Sequence, residues 1–142
     1  MADIHFDYKL AIAAAEGGAS KIRINPGNIG GEDRVKAVVD VCKARNIPIR
    51  IGVNGGSLDK KLLEKYGHPT AEALVESAFE HIALLEQYDF HDTCVSMKSS
   101  TVPTMVEACR LFRSKCDYPL HIGVTETGPV KQGLIKSAMG IG

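Results

Sequence analysis

Three predicted strands each carry one basic residue whose side chain falls on the same face of the sheet. These residues are Arg23, Arg50 and Lys98. A cation inside a folded chain is costly to desolvate without a partner. Arginine forks and lysine ammonium groups both bind phosphate oxygens. The alternative is internal ion pairing with Asp3 and Glu126. Because the cations outnumber these carboxylates, the pattern favours a site that binds a phosphate or diphosphate.

Other polar residues lie near the same strand ends. Asn25 and Asn54 are candidate amides for orienting a substrate. His5 and His121 are candidate hydrogen-bond donors to substrate or, equally, satisfied core histidines. Glu126 is a candidate acid or base with a raised pKa, or a charge at a helix N-terminus, and both interpretations stay open. Backbone N–H groups can approach the same anion at Gly27, Gly30, Gly55 and Gly56. No three candidate ligands have the spacing of a metal site.

Five strand-like segments, each followed by a helical pattern, position these residues. The strands are predicted over Ala2 to Phe6, Lys21 to Asn25, Pro48 to Val53, Thr93 to Lys98 and Pro119 to Thr125. The helices are predicted from about Tyr8 to Glu16, around Val35 to Cys42, briefly around Leu62, from near Thr70 to Leu85, from Met105 to Cys116 and from about Pro129 to Met139. Gly-rich loops are predicted over residues 26–31 and 54–57. Alternation of strand and helix implies a parallel sheet with right-handed crossovers.

The two phases of each predicted strand differ in polarity: one is aliphatic or nearly so, and the other is polar or small. A doubly wound sheet carries helices on both faces, so its strands tend to be apolar throughout. A barrel carries helices only outside, and its inner face holds polar groups toward the carboxyl ends of the strands. We therefore predict an α/β fold, a partial TIM-type (β/α)8 barrel of about five β/α units. Residues 1–142 are expected to form part of one barrel domain, and the chain to be an internal fragment or a truncated product.

The composition narrows the function classes. The net charge of zero over 142 residues argues against a general nucleic-acid binder. No apolar run is long enough to cross a bilayer, and no signal peptide is visible. Three of the four cysteines, Cys42, Cys109 and Cys116, fall on apolar helix faces and are expected to be buried structural thiols. Reduced thiols without an export signal predict a cytoplasmic protein.

Several stretches at the strand ends match a known enzyme family. They are ADIHFDYKLA, KIRINPGNIG, IPIRIGVNGGSL, LLEKYG, CDYPLHIGVTETG and KSAMGIG. On these motifs the chain resembles the 4-hydroxy-3-methylbut-2-enyl diphosphate synthases, iron–sulfur enzymes of the methylerythritol phosphate route to isoprenoids. The motifs run over nearly the whole chain, and in combination they are very specific. Residues 90–104 match less literally.

The resemblance implies an oxidoreductase of isoprenoid biosynthesis. Enzymes of this family open the ring of 2-C-methyl-D-erythritol 2,4-cyclodiphosphate, expel a hydroxyl group and form an allylic diphosphate with two electrons. A [4Fe-4S] cluster supplies the electrons and is itself reduced by flavodoxin or ferredoxin. The family enzyme is a homodimer, in which the cluster domain of one subunit lies over the barrel of the other.

The same resemblance assigns roles to residues of this chain. The positions that match the family's substrate site are, in chain order, Asp3, His5, Arg23, Arg50, Asn54 and Lys98. Glu126 matches a carboxylate near the reacting carbons, a proton donor or orienting group. The cluster ligands of the family, three cysteines and a glutamate, belong to a C-terminal domain that is absent here. The first two barrel strands and the eighth are also missing, so the isolated chain is expected to be inactive.

Two other functions compete with this one. The first is a phosphate-binding barrel fragment that has no turnover. The second is an aldolase or isomerase that acts on a phosphorylated substrate. An aldolase needs a Schiff-base lysine, and Lys98 is the one candidate in the inward phase. Borohydride trapping with a carbonyl substrate separates an aldolase from the synthase.

Overall fold

The computed structural model describes residues 1–125 and 127–142 of the chain. Four strands form a sheet in the order β1-β2-β3-β4. They are β1 (Ala2–Asp3), β2 (Ile22–Ile24), β3 (Ile49–Asn54) and β4 (Thr93–Lys98). The first two pairings are parallel, with Arg23 in register with both Asp3 and Arg50. The predicted α/β class with a parallel sheet is therefore confirmed.

Seven helices occur in the described part of the chain. They are α1 (Tyr8–Glu16), α2 (Pro26–Ile29), α3 (Glu32–Ala44), α4 (Lys60–Tyr66), α5 (Ala71–Glu86), α6 (Val102–Lys115) and α7 (Val130–Ile141). Local capping sets several boundaries. The Asp7 carboxylate accepts the Lys9 N–H at 2.9 Å where α1 begins, and Gly67, with φ of 77°, ends α4. Across residues 1–125 and 127–142, no helix has the length and apolarity needed to cross a bilayer.

The chain divides into two compact units. Unit 1 comprises Met1–Gly52 and Phe79–Cys94. Within it, α1 packs against α3. The aliphatic phase of β2 and β3 is fully buried, through Ile22, Ile24, Ile49 and Ile51. The polar phase of the same strands carries the two arginines, so the alternation predicted from the sequence is observed here.

Unit 2 comprises Val53–Ala78 and Val95–Gly142. Within it, α6 packs against α7. The core side chains Val95, Met97, Met105 and Phe112 are each 0% exposed. They come from the aliphatic phase of β4 and from the face of α6 that the helical spacing predicted.

The fifth predicted strand is wrong. Residues 119–125 join β4 through a single bridge between Val95 and Leu120. Val95 donates to the Pro119 carbonyl at 2.9 Å, and His121 donates to the Val95 carbonyl at 2.8 Å. No described strand pairs with the other edge of this segment. A segment held along one edge by so few bonds does not keep a regular ladder.

Three smaller expectations also need correction. β1 ends at Asp3, because the chain bends toward the Asp7 cap, and Phe6 is 72% exposed instead of covered. Part of the predicted loop 26–31 is the helical turn α2, which Asn25 caps. Cys116 lies just after α6, at its C-cap. Cys42 is buried as expected, but Cys109 and Cys116 are only half-buried.

Candidate functional site

Two arginines lie side by side on the polar phase of the sheet in unit 1. Arg23 on β2 and Arg50 on β3 are in register, and they are 7% and 4% exposed. Arg23 Nη1 donates to Asp3 Oδ1 at 2.8 Å. Arg23 therefore forms an ion pair with Asp3, as the alternative interpretation of the buried cations predicted. The neighbouring Arg50 is buried beside this pair, and burial of two guanidinium groups together is costly unless each has a partner.

The Nε of Arg50 is buried and has no hydrogen-bond partner among the described residues. Burial lowers the pKa of Arg50, and the neighbouring charge of Arg23 lowers it further, while Asp3 and Cys94 act in the opposite direction. A guanidinium still carries its charge under these conditions. An anionic ligand would supply the Arg50 Nε with a hydrogen-bond acceptor.

The other predicted residues of unit 1 lie close to this cluster in sequence. Asn25 directly follows β2 and is 6% exposed. Its side-chain oxygen accepts the Gly27 N–H at 3.2 Å, so this oxygen caps α2. His5 is exposed, with its ring centre 6.2 Å from that of Phe6. Substrate binding by Asn25 and His5 stays a prediction.

Unit 2 contains a cavity of about 720 Å³ at the end of β4. Its lining includes Asn54 and the Gly55–Ser57 turn, together with Lys98 and residues 99–101. A Cβ on Gly55 would stand 3.3 Å from the Cβ of Pro69, so the absence of a side chain lets this turn lie close to Pro69. Lys98 is half-buried. The structure thus places two predicted residues, Asn54 and Lys98, in one cavity.

Hydroxyl groups form a further part of the cavity lining, and the sequence analysis did not single them out. Ser99, Thr101 and Thr104 surround the start of α6. The Ser99 hydroxyl accepts the Thr101 N–H at 3.3 Å, and the hydroxyls of Thr101 and Thr104 are 2.7 Å apart. A run of hydroxyl residues between a strand end and a helix start was the available signal. His68, which received no predicted role, and Thr125 also line the cavity.

Three predictions about the site stay open. Arg23 and Arg50 lie together in unit 1, whereas Lys98 belongs to unit 2, so the meeting of all three cations stays a prediction. Glu126 lies outside the described residues. His121 is exposed and its backbone N–H bonds to Val95, which neither supports nor opposes a contact with substrate.

The cysteines of the chain do not form the ligand set of an iron–sulfur cluster. Cys42 and Cys94 belong to unit 1, and Cys109 and Cys116 to unit 2. Burial raises the pKa of the Cys42 thiol to about 11. Burial also raises the pKa of the Cys109 thiol, which lies 3.7 Å from the sulfur of Met105. Within the described ranges, no three His, Cys, Asp or Glu side chains are grouped to hold a metal. These residues therefore do not fit a [4Fe-4S] cluster.

Curated relatives match the whole chain. A protein of Clostridium perfringens is 63% identical over 142 residues, which is 100% of this chain and 41% of the relative. Relatives from Thermodesulfovibrio yellowstonii and Fusobacterium nucleatum are 62% and 61% identical over the same length, covering 41% and 40% of those proteins. All three are named 4-hydroxy-3-methylbut-2-en-1-yl diphosphate synthase (flavodoxin). The chain thus spans about two fifths of the length of these relatives.

The family comparison agrees with the fold and with the motifs. The GcpE TIM-barrel domain matches residues 1–142, so the predicted barrel class is confirmed together with the resemblance. The parallel sheet and its buried polar phase have the pattern expected of such a barrel. Because the match extends over every residue, the chain belongs to the GcpE TIM-barrel domain family.

Proposed function

We propose that the chain is the substrate-binding portion of a 4-hydroxy-3-methylbut-2-en-1-yl diphosphate synthase. The reaction is the reductive ring-opening dehydroxylation of 2-C-methyl-D-erythritol 2,4-cyclodiphosphate, which belongs to isoprenoid biosynthesis. The observation that carries the proposal is Arg50, a guanidinium only 4% exposed whose Nε lacks an acceptor among the described residues. A diphosphate oxygen is an acceptor of the right charge and geometry.

Each unit carries its own proposed contacts to the substrate. In unit 1, Arg23 and Arg50 bind diphosphate oxygens, and Asp3 holds the Arg23 guanidinium through its 2.8 Å ion pair. In unit 2, Lys98 acts as a point charge. Asn54 and the hydroxyls near the start of α6 donate hydrogen bonds to the phosphate or to the hydroxyl groups of the substrate. His5, Asn25 and His121 are proposed as further contacts to the substrate.

The chemical step requires a proton and electrons. We assign the proton to Glu126, which follows Thr125, a residue of the cavity lining. As an acid it would protonate the departing hydroxyl so that water leaves. We place the [4Fe-4S] cluster implied by the resemblance outside this chain, with flavodoxin or ferredoxin as the electron donor. The isolated chain would then bind substrate without turnover, and a homodimer and a cytoplasmic location complete the proposal.

A chimeric enzyme tests the proposal. In this chimera, the present chain replaces the matching segment of the Clostridium perfringens relative. The chimera should convert the cyclic diphosphate to the allylic diphosphate with reduced flavodoxin. In it, Arg50→Ala should raise KM at least about tenfold, because one charge-assisted bond to phosphate contributes about 1.5–3 kcal/mol. The kcat should stay within a few-fold, since binding of the diphosphate is the same in the ground and transition states.

Arg110→Ala is the matched control, because Arg110 is an exposed arginine on α6 and should leave KM unchanged. A chimera without turnover would contradict the assigned activity. An active chimera in which Arg50→Ala has an unchanged KM would contradict the role of Arg50.

A further inference from the structure

A glycine of β3 lies directly against the Arg23 guanidinium. A Cβ built on Gly52 would stand 2.6 Å from Arg23 Nη2 and 2.8 Å from Cζ, and it would also overlap Nε. Real Cβ atoms essentially never approach a neighbour closer than 3.0 Å. Any side chain at this position would therefore force the guanidinium or the backbone to move.

The guanidinium cannot move without loss, because it is held on both sides. β2 lies between β1 and β3 in the sheet. On the β1 side, Arg23 bonds to Asp3 at 2.8 Å; on the β3 side, it lies on the bare backbone of Gly52. The Arg23 side chain is only 8% exposed. A displaced guanidinium would have to break the ion pair or to approach the like charge of Arg50.

We propose that Gly52 is a positioning residue that holds Arg23 in the anion site. The missing side chain makes room for the Arg23 guanidinium on the polar face of the sheet, next to Arg50 in the register of β2 and β3. This inference rests on the proposed function, in which Arg23 and Arg50 bind the diphosphate. Gly52 itself makes no contact with substrate and acts only through Arg23.

A double-mutant cycle separates this role from a general structural one. Inorganic pyrophosphate is titrated into the 142-residue chain by calorimetry, with Arg23→Ala, Gly52→Ala and the double variant. Gly52→Ala should weaken binding at least about tenfold although it removes no charge. In the Arg23→Ala background, Gly52→Ala should change affinity by less than about twofold, because its target is already absent. In the chimera, Gly52→Ala should raise KM while kcat stays within a few-fold.

Gly123→Ala is the control. Gly123 also lies close to a cation, but its Cβ would stand 3.6 Å from Lys98 Cε, an ordinary van der Waals distance. It should therefore leave pyrophosphate affinity within about twofold.

The possible outcomes distinguish the inference from the proposed function. Unchanged affinity in Arg23→Ala would contradict the proposed role of Arg23. If Arg23→Ala loses affinity and Gly52→Ala does not, the role of Gly52 is wrong and that of Arg23 stands. The role of Gly52 is also wrong if Gly52→Ala causes the same loss in the native chain and in the Arg23→Ala variant. If Gly52→Ala fails to fold while the double variant folds, the clash with Arg23 is supported. If neither folds, Gly52 has a backbone role independent of Arg23, and the inference is wrong.

Discussion

The arginine cluster of unit 1 and the cavity of unit 2 hold their cations in opposite environments. Arg23 and Arg50 are buried in the sheet, and Arg23 is packed against the bare backbone of Gly52. Lys98 is half-buried at the edge of a cavity of about 720 Å³, among hydroxyl groups and a glycine turn. The first region is tightly packed, whereas the second is roomy and polar.

Under the proposed function, the two regions would contribute to binding in different ways. Residues within a strand are fixed by the ladder on both sides, so their side chains are positioned before the ligand arrives. In unit 2, Asn54 and Lys98 are the last residues of their strands. The cavity lining that follows them lies mainly in loops, which carry most of the variable polar contacts in such folds. We therefore expect unit 1 to supply most of the affinity for diphosphate, and unit 2 to supply orientation and chemistry.

The largest effect is expected from Glu126, next in sequence to the unit 2 cavity lining. In the chimera, Glu126→Gln keeps the shape of the side chain and removes the proton. The kcat should fall by about 10²-fold or more, with KM within a few-fold, if Glu126 is the acid. Steady-state kinetics with reduced flavodoxin measures both constants. Glu107→Gln, an exposed carboxylate on α6, is the control. Near-normal turnover in Glu126→Gln would leave only the helix-terminus interpretation.

An intermediate effect is expected when Arg50 and Lys98 are compared at two salt concentrations. Pyrophosphate affinity of Arg50→Ala and Lys98→Ala is measured by calorimetry at about 0.05 M and about 0.5 M salt. Arg50→Ala should lose at least about tenfold at both concentrations, because salt screens buried charges weakly. Lys98→Ala should lose only about three- to tenfold, and less at high salt.

Lys115→Ala, an exposed lysine at the end of α6, should have little effect at either concentration. Equal salt sensitivity of the Arg50 and Lys98 variants would break the contrast between the two regions.

The smallest effect is expected on the pH dependence of stability, through the buried thiol of Cys42 in unit 1. Burial raises the pKa of Cys42 from 9.0 to about 11. The unfolded thiol therefore ionises first as pH rises, so this contribution to stability is complete below about pH 9 and is lost toward pH 11. Urea unfolding should show stability falling less steeply between these pH values in Cys42→Ala than in the native chain. Cys116→Ala, at a half-buried thiol, is the control. Parallel pH dependences of Cys42→Ala and the native chain would contradict this assignment.

Local patterns predicted much of the fold. The bounds of α1 and β4 were predicted without error. The Asp7 side chain caps the start of α1, and a clear alternation of polar and apolar residues marks β4. The buried stripe of α5, through Leu74, Ala78, Ile82 and Leu85, followed from helical spacing. The prediction failed over residues 119–125, where strand-like alternation is present but only one bridge forms. Alternation reports which side chains are apolar and says nothing about whether a partner strand lies alongside.

The candidate site was predictable only in part. Arg23, Arg50, Asn54 and Lys98 were identified by strand phase and by the family motifs. The hydroxyls of Ser99, Thr101 and Thr104 were not, because such residues are common at helix starts for capping alone. The short helix α2 was read as a loop, since Pro26 and Gly27 favour turns as well as first helical positions.

The amino-acid sequence by itself determined the α/β class, the family and the phase of the buried cations. These follow from periodicity and motifs, which are properties of neighbouring residues along the chain. Only the tertiary structure decided that Arg23 pairs with Asp3, that Arg50 keeps a buried Nε without a described acceptor, and that Gly52 makes room for Arg23. Those facts depend on the register of neighbouring strands, which places residues far apart in sequence within a few ångströms of each other.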